Sequence, residues 1–293
     1  MLASRPLQGK VCLVTGASSG IGKATALGLA HRGAHVVMAC RDLARGAAAQ
    51  NEIQAHSGNP HVDLMQVDLA SQESIRQFVA HFKDRYTHLH ILINNAGISN
   101  FSRQETEDGI EETLAVNYLA PFLLTNLLLD KIKESAPARI INVSSDMQSS
   151  GTIDLFDLQL KTGRYSFPRA YSQSKLALIL FTYALARRLE GTGVTVNCLH
   201  PGFVATNIGQ QDLSPALKAL AGLLLPLLGS KPDEGARTTL YLATSPEVEG
   251  VTGKYFIKGV PKKSALVSYD RVLQERLWEE SLKLTHLESV AVR

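Results

Sequence analysis

The strongest constraint on the fold is a regular alternation of short apolar runs with helix-type stretches along most of the 293 residues. The apolar runs are continuous in Val, Ile and Leu, which is typical of strands buried on both faces of a parallel sheet. The predicted strands are Val11–Thr15, His35–Cys40, Val62–Asp68, Ile91–Asn94, Arg139–Ser144, Val194–His200 and Lys254–Ile257. The predicted helices are Ile21–Arg32, Leu43–His56, Gln72–Tyr86, Gly109–Ser135, Ala170–Leu189 and Asp233–Thr244. This order predicts an α/β fold, a doubly wound parallel sheet with helices on both faces. No linker or repeat divides it, so we expect a single domain over residues 1–293.

Two long segments interrupt the alternation, at residues 146–169 and 205–230. Each follows a predicted strand at its carboxyl end, where open α/β sheets bind ligands, so we expect both to build the substrate pocket. The Leu-rich part, 216–228, is too short to span a bilayer, which needs about 20 residues. Three interpretations of this part stay open: a lid over an apolar pocket, an ordinary core helix, or a peripheral contact with a membrane surface.

Composition excludes several classes of protein. The chain has 30 basic and 27 acidic residues scattered along its length, so nucleic-acid binding has little support. Cys12, Cys40 and Cys198 lie in apolar runs without metal-ligand spacing, which favours small buried side chains over a zinc site or a disulfide framework. Residues 1–10 have no apolar stretch of the signal-peptide type, and we expect a cytoplasmic protein.

The first predicted strand runs into a glycine-rich turn, Thr15-Gly16-Ala17-Ser18-Ser19-Gly20-Ile21-Gly22, and a helix follows. Glycines there permit a tight turn and a close approach of the backbone to a pyrophosphate, beside the positive end of the helix dipole. The GK[ST] ending of a P-loop is missing, which disfavours a nucleoside triphosphatase. The turn therefore predicts a nucleotide site.

The Gly-x3-Gly-x-Gly spacing resembles the cofactor loop of the short-chain dehydrogenases/reductases. Five further motifs of that family follow in its order over residues 10–260: Asn94-Asn95-Ala96-Gly97, Asn117, Ser144-Ser145, Tyr171-x3-Lys175 and Pro201-Gly202. The resemblance implies a Rossmann-type fold and hydride transfer between a nicotinamide cofactor and a carbonyl/alcohol pair.

The choice of cofactor depends on the end of the second strand. In the family's pattern an acid that selects NAD would stand at Cys40, and Arg41 follows it directly. A guanidinium can clamp a 2′-phosphate, whereas Asp42 is placed to cap the next helix, so we predict NADP(H). The cofactor-binding residues implied by the resemblance are Gly16, Ser18, Ser19, Gly20, Ile21, Gly22, Arg41, Asp68, Leu69, Asn95, Ala96, Gly97, Tyr171, Lys175, Pro201, Gly202, Val204 and Thr206.

Four residues are predicted to be catalytic. Tyr171 and Lys175 stand at i and i+4 of a helix, on one face. A nearby ammonium, aided by the positive nicotinamide of the oxidised cofactor, is expected to lower the pKa of the phenol. By resemblance, Tyr171 exchanges a proton with the substrate oxygen, Ser145 orients that oxygen, Lys175 binds the nicotinamide ribose and Asn117 holds a water in the proton relay. Ser144 and His200 are expected to be structural.

Several stretches resemble the retinol dehydrogenase-like branch, among them Ala39-Cys40-Arg41-Asp42, Ala96-Gly97-Ile98, the run 170–177 and His200-Pro201-Gly202. That resemblance implies apolar aldehyde or alcohol substrates such as retinal. Reductases of steroids, quinones or xenobiotic carbonyls, and a non-catalytic NADP-binding scaffold or sensor, stay open as alternatives. The family also forms homo-oligomers through the helices after the fourth and fifth strands, although monomers occur.

Overall fold

The computed structural model of the protein describes residues 6–202 and 231–287. Its strands are β1 Val11–Thr15, β2 His35–Cys40, β3 Val62–Gln66, β4 Ile91–Asn94, β5 Ala138–Val143, β6 Val194–His200, β7 Tyr255–Ile257 and β8 Val260–Lys262. Its α-helices are α1 Gly20–His31, α2 Leu43–Ser57, α3 Gln72–Arg85, α4 Glu112–Leu114, α5 Ala120–Leu127, α6 Leu129–Glu134, α7 Phe167–Arg188, α8 Pro232–Thr244 and α9 Arg271–Leu284.

The described strands form one sheet in the order β3-β2-β1-β4-β5-β6-β7-β8. All neighbours pair in parallel except β7 and β8, which form an antiparallel hairpin. The strand order reverses between β1 and β4, so the carboxyl ends of these two strands flank the crevice where doubly wound sheets bind nucleotides. The predicted fold class is confirmed.

The helices cover the sheet on two sides and leave an apolar core on each. One core packs β-strand residues such as Leu13, Leu92 and Ile140 against α3, α5, α7 and α9. The other packs residues such as Val14 and Ile93 against α1, α2 and α8. Successive strand residues alternate between the two cores, which explains why the strands read as continuous apolar runs.

The predicted boundaries of β1, β2, β4 and β6 are confirmed, and the other strands differ by one or two residues. The single predicted helix over 109–135 is wrong. The segment is divided into α4, a π-helical turn at Ala115–Leu119, α5 and α6. Pro121 lacks an N–H and therefore interrupts the regular i→i+4 bonding there. The segment 146–169 is also less irregular than expected, because it begins with the 3-10 turn Asp146–Ser150 and ends inside α7.

The hairpin strand β8 and the helix α9 were missed by the sequence analysis. α9 packs across α5 and α7, where the Trp278 ring lies 4.9 Å from the Phe122 ring and 5.7 Å from the Phe181 ring, centroid to centroid. The Tyr118 hydroxyl also bonds the Ser281 hydroxyl at 2.6 Å. The helices that follow β4 and β5 are thus covered in part by α9. Among the described helices, none has the length and hydropathy needed to cross a membrane.

Candidate active site

The glycine-rich turn has the backbone geometry that a phosphate site needs. Gly16 and Gly20 have φ of +67° and +55°, in the left-handed region that glycine adopts without strain. A Cβ added to Gly22 would collide with the Gly16 carbonyl oxygen. Ser19 is the N-cap residue of α1, yet its side chain makes no capping bond and the first turn contains no acid. The first N–H groups of α1 are therefore left for an anion, which is what a pyrophosphate requires.

Three hydrogen bonds join the start of this turn to the residues that follow β4. The Thr15 hydroxyl accepts from the backbone N–H groups of Asn95 (2.9 Å) and Ala96 (3.0 Å). The Asn95 side chain donates to the Thr15 carbonyl at 2.9 Å. The Asn95 amide is thus committed to holding the two strand ends together, and any contact of this segment with a ribose falls to the neighbouring backbone.

The end of β2 combines a buried thiol with two exposed charged residues. Cys40 is 2% exposed, and burial, opposed by hydrogen bonds from Ala17 and Ser18, raises the pKa of its thiol to about 11. The Asp42 carboxylate accepts from the Arg45 N–H at 3.0 Å and caps α2, as expected. Arg41 is exposed between them. No carboxylate stands where a ribose 2′-hydroxyl would need one on β2.

Tyr171 and Lys175 lie in the first turns of α7, a helix whose residues 170–186 are all buried. The Lys175 ammonium lies 5.6 Å from the centroid of the Tyr171 ring and donates to the Val143 carbonyl at 3.0 Å. Burial lowers the pKa of Lys175 to about 8. It raises the pKa of Tyr171 to about 12, against the opposing effect of a hydrogen bond with Ser145. Desolvation thus sets the direction of the Tyr171 pKa in the protein alone, and the lowering expected from the ammonium together with an oxidised nicotinamide stays a prediction.

The two serines after β5 have different surroundings. Ser145 bonds the Tyr171 phenol, and its hydroxyl accepts from the Met147 N–H at 3.3 Å at the start of the 3-10 turn. Ser144 is buried and donates to the Lys175 carbonyl at 2.9 Å, which fastens β5 to α7. Ser145 therefore faces the phenol, whereas Ser144 is used in packing β5 against α7.

Asn117 lies fully buried in the π-helical turn. Its side-chain oxygen accepts from the Ile98 N–H (2.8 Å), while its amide donates to the Ile98 carbonyl (2.9 Å) and to the Ser174 hydroxyl (3.0 Å). A Cβ added to Gly97 would lie 3.3 Å from both the Asn117 oxygen and the Lys175 ammonium. The structure thus brings Asn117, Ser145, Tyr171 and Lys175 together, with Gly97 against two of them.

The remaining predicted contacts that the structure describes lie on the same edge of the sheet. The Asp68 carboxylate accepts from the Ala70 N–H at 2.9 Å, and Ser71 caps α3. Leu69 follows, partly buried. Pro201 and Gly202 come directly after β6. Val204, Thr206 and the segment 205–230 lie outside the described residues.

His200, the last residue of β6, is structural, as expected. Its Nδ1 accepts from the Asp146 N–H at 3.1 Å, and burial lowers its pKa.

A line of aromatic rings leads away from the Tyr171 ring. The Phe167 ring lies 5.8 Å from Tyr171, and Phe101, which is 54% exposed, lies 5.6 Å from Phe167. The loop beside it is fixed to α7, since the Gln173 side chain donates to the Leu158 carbonyl at 2.7 Å. The line gives the site one apolar wall that extends to the surface.

Sequence reasoning missed several residues that build this site. Thr15 and Ser174 stand within motifs that were recognised, so their positions were a usable signal. No sequence signal pointed to Glu111, which caps α4 and accepts from the Tyr165 hydroxyl at 3.0 Å. None pointed to the pair Phe101 and Phe167 either. Their contacts join segments that are far apart in the chain.

The family model of the short chain dehydrogenases matches residues 10–216. The chain belongs to the short-chain dehydrogenase family. The match covers the glycine-rich turn and the four residues Asn117, Ser145, Tyr171 and Lys175. The chain is therefore an oxidoreductase that acts on an alcohol/carbonyl pair with a nicotinamide cofactor.

Similar proteins place it in the retinol dehydrogenase-like branch of the family. Human retinol dehydrogenase 13 is 46% identical over 290 residues, which are 98% of this chain and 88% of that protein. Human polyprenol dehydrogenase is 43% identical over 286 residues, 96% of this chain and 86% of that protein.

Among solved structures, an uncharacterised protein from Mycobacterium Paratuberculosis superposes with a TM-score of 0.77 at 34% identity. The superposition covers 96% of this chain and 94% of that one.

Proposed function

We propose that this enzyme uses NADP(H) to interconvert long apolar aldehydes and their alcohols, with retinal among its substrates. The observation that carries the proposal is the buried pair of Tyr171 and Lys175, with Ser145 bonded to the phenol, at the same sheet edge as the glycine-rich turn. A protein that only binds a nucleotide has no need of a proton donor in that place. The proposal treats the chain as a single domain whose pocket is closed by 146–169 and 205–230.

The residues present fit a nicotinamide dinucleotide. The uncapped start of α1 and the tight turn at Gly16, Gly20 and Gly22 suit the pyrophosphate, which Ser18, Ser19 and Ile21 would contact through the backbone. The absence of a side chain at Gly97 leaves room beside the Lys175 ammonium for a ribose. Lys175 has three N–H donors and gives one to Val143, so two remain for ribose hydroxyls. Asp68 and Leu69 would lie at the adenine, and Ala96, Pro201, Gly202, Val204 and Thr206 toward the nicotinamide end.

The proton chemistry belongs to this chain's own residues, while the cofactor supplies or accepts the hydride at the carbonyl carbon. With a pKa of about 12, Tyr171 is protonated at neutral pH and can donate its proton to the carbonyl oxygen. The Ser145 hydroxyl donates a hydrogen bond to the same carbonyl oxygen. Lys175 is still mostly cationic near neutral pH and stabilises the tyrosinate that remains after the transfer.

Asn117 would act in the relay through its main chain. Its side chain is already bonded to Ile98 and Ser174. Pro121, four residues on, has no N–H to give to the Asn117 carbonyl. That carbonyl is therefore the group best placed to hold a water that passes protons to Lys175.

The preference for NADP(H) rests on the end of β2. The carboxylate next to Arg41, that of Asp42, caps α2 through the Arg45 N–H, whereas Arg41 is exposed and can reach a 2′-phosphate. The small, uncharged Cys40 does not repel that phosphate.

The apolar substrate class rests on the wall formed by Phe101, Phe167 and Tyr171. Flat, conjugated or isoprenoid chains suit such a wall, because aromatic faces bury large apolar areas. The names of the two relatives, a retinol and a polyprenol dehydrogenase, agree with this class.

The test is oxidation of NADPH and of NADH by the purified protein against a panel of carbonyls. The panel runs from short aldehydes to all-trans-retinal and a polyprenal, with a steroid ketone and a quinone. We expect turnover with NADPH that is fastest for the long apolar aldehydes. Turnover of small carbonyls alone would reject the substrate class, and tight NADPH binding without turnover would replace the enzyme by a scaffold.

A further inference from the structure

The hairpin at the edge of the sheet and the turn that follows it, residues 258–272, expose several large apolar side chains. Leu266 is 86% exposed, Val272 69% and Val260 51%, and Tyr269 and Val267 are also partly open. Single exposed apolar residues are common on soluble proteins, whereas a cluster of this kind within 15 residues marks a contact surface. We call residues 258–272 the hairpin surface.

Cations lie among these apolar side chains. Lys258, Lys262, Lys263 and Arg271 are all exposed, and none of them takes part in an ion pair among the described residues. The one acid within the surface, Asp270, accepts from the backbone N–H groups of Val272 (2.9 Å) and Leu273 (3.1 Å) as the cap of α9. The positive charge of the surface is therefore not neutralised locally.

The nearest acid on the packed helix α9 is committed to α7. Glu275 pairs with Arg187 at 3.1 Å and also with Arg188. It therefore does not offset the lysines of the hairpin.

A cavity of about 290 Å³ opens beside the hairpin between Lys254, Lys262 and Lys263. Its floor is the stacked pair of Tyr183 and Tyr269, whose ring centroids are 5.4 Å apart. Hydrogen bonds through Ser264 join the two tyrosines. The Tyr183 and Ser264 hydroxyls bond at 2.7 Å, and the Ser264 N–H donates to the Tyr269 hydroxyl at 3.1 Å. Three lysines around one rigid cavity are suited to a phosphate group.

We propose that the hairpin surface docks the enzyme on a bilayer that contains anionic phospholipids. A headgroup phosphate is bound among Lys254, Lys262 and Lys263, while Leu266, Val272 and Val260 enter the interface between headgroups and acyl chains. Cations interleaved with apolar side chains are what an anionic lipid surface selects. A second copy of the chain fits less well, because the edge strand β8 has three residues with Pro261 at its centre and offers little for strand pairing.

The position of the hairpin gives this contact a consequence for the enzyme. Ile257 pairs with His200, the last residue of β6, so the turn that follows Ile257 lies at the carboxyl edge of the sheet. The Ala265 N–H also donates to the Gln148 side chain (2.8 Å), two residues into the 3-10 turn capped by Ser145. Lys254 and Lys262 lie at the opposite, amino end of the hairpin, because Lys262 pairs with Tyr255. A docked enzyme therefore lies with this side of its sheet against the lipid, and the turn at Lys258 and Val260 brings the active-site edge next to the lipid in which an apolar substrate dissolves.

The test is flotation of the full-length protein with phosphatidylcholine vesicles, prepared with and without phosphatidylserine. We expect binding to the anionic vesicles that weakens as salt is raised. The triple variant Lys258→Gln, Lys262→Gln and Lys263→Gln should lose on the order of 100-fold in partition coefficient, at about tenfold or less per cation. The double variant Leu266→Ser and Val272→Ser should also reduce binding, at any salt concentration.

Matched controls separate this surface from general effects of charge and hydropathy. Lys131→Gln, Lys133→Gln and Lys283→Gln remove the same charge elsewhere, and Leu43→Ser removes an exposed leucine at the start of α2; both should float like the wild type. Thermal unfolding of every variant verifies its fold. The proposal is overturned by equal binding to neutral vesicles, by binding that survives both sets of substitutions, or by self-association through this surface without vesicle binding. None of these readouts depends on turnover, so the proposed enzymatic function is tested separately.

Discussion

The two edges of the sheet contain polar side chains of similar kinds but use them differently. At the amino edge, His90 Nδ1 accepts from the Val11 N–H (3.1 Å), and burial lowers the His90 pKa to about 4. Arg139 donates to the carbonyls of Leu242 (2.8 Å) and Ser245 (2.9 Å). At the carboxyl edge, Lys175 gives one of its three donors to the protein, and the Tyr171 phenol bonds Ser145.

The amino edge has the larger cavity, whereas the carboxyl edge has the polar groups that a ligand can use. The amino edge has a cavity of about 590 Å³, twice the size of the one beside the hairpin, lined by Pro137, Arg139 and His90 among others. The side chains of His90 and Arg139 there are bonded to backbone partners and so contribute to stability. At the carboxyl edge, Lys175 keeps N–H donors and Tyr171 keeps a proton that a ligand can use. Both side chains are buried without a full set of protein partners.

The largest effect should come from removing the proton donor. Tyr171→Phe should reduce turnover by about 10²–10⁴-fold, the usual contribution of a positioned acid, and leave NADPH affinity and thermal stability nearly unchanged. Steady-state kinetics with NADPH and a long aldehyde measure it. Tyr183→Phe is the matched control on the same helix: it loses the bond to Ser264, costs about 1 kcal/mol of stability and keeps its turnover of a short soluble aldehyde. Retained activity in Tyr171→Phe would contradict the assignment.

The amino edge should respond in the opposite way. Arg139→Gln removes two charge-assisted hydrogen bonds to buried carbonyls and should destabilise the protein by about 2–3 kcal/mol, with kcat/KM unchanged. Denaturant unfolding combined with kinetics checks both parts. A large loss of kcat/KM at unchanged stability would mean that the amino edge belongs to the functional site.

Arg41→Ala should weaken NADPH binding by about tenfold, since it removes one exposed charge-assisted contact with the 2′-phosphate. NADH lacks that phosphate, so its affinity should stay the same. Titration calorimetry with both cofactors measures the two constants, and equal losses for both would eliminate the phosphate clamp.

The pH dependence follows from Lys175. Burial lowers its pKa to about 8, so the ammonium is present below that pH and is lost as pH rises through it, whereas Tyr171 with its pKa of about 12 stays protonated. In the free enzyme, kcat/KM for carbonyl reduction should therefore fall by about tenfold per unit above this pKa. A profile that stays flat across the pKa of Lys175 would show that its charge is not needed.

The smallest effect should be on substrate size. Phe167→Leu interrupts the aromatic line between Phe101 and Tyr171 and should raise the KM for a long polyene aldehyde about threefold to tenfold, with short aldehydes unaffected. Phe156→Leu, in the segment before α7 and 94% exposed, is the control and should change the KM of neither substrate. Equal effects of Phe167→Leu on short and long substrates would reject the wall.

Local patterns in the sequence predicted most of this molecule. The strands β1, β2, β4 and β6 were predicted to the residue, because each is a short apolar run bounded by turn residues. The Tyr171/Lys175 pair and the glycine-rich turn could be recognised because their spacing is fixed by one helix and one turn. The interrupted helix around Asn117 was missed, although Pro121 marks the break.

Other features depend on contacts that the sequence does not reveal. The pKa of Tyr171 is raised because its side chain is buried, and the spacing of Tyr171 and Lys175 alone does not reveal that burial. The α9 residue Trp278 covers Phe181 and Phe122, which stand 97 and 156 positions earlier in the chain. The exposure of Leu266 and Val272 follows from how the hairpin ends the sheet.

Hydrogen–deuterium exchange with and without NADPH tests the contrast between the two edges most directly. We predict that NADPH protects amides at the carboxyl edge, in residues 16–22 and 95–98, and leaves residues 189–195 at the amino edge unchanged. Protection confined to the amino edge, or spread equally over both, would contradict the assignment of the cofactor and the chemistry to the carboxyl edge.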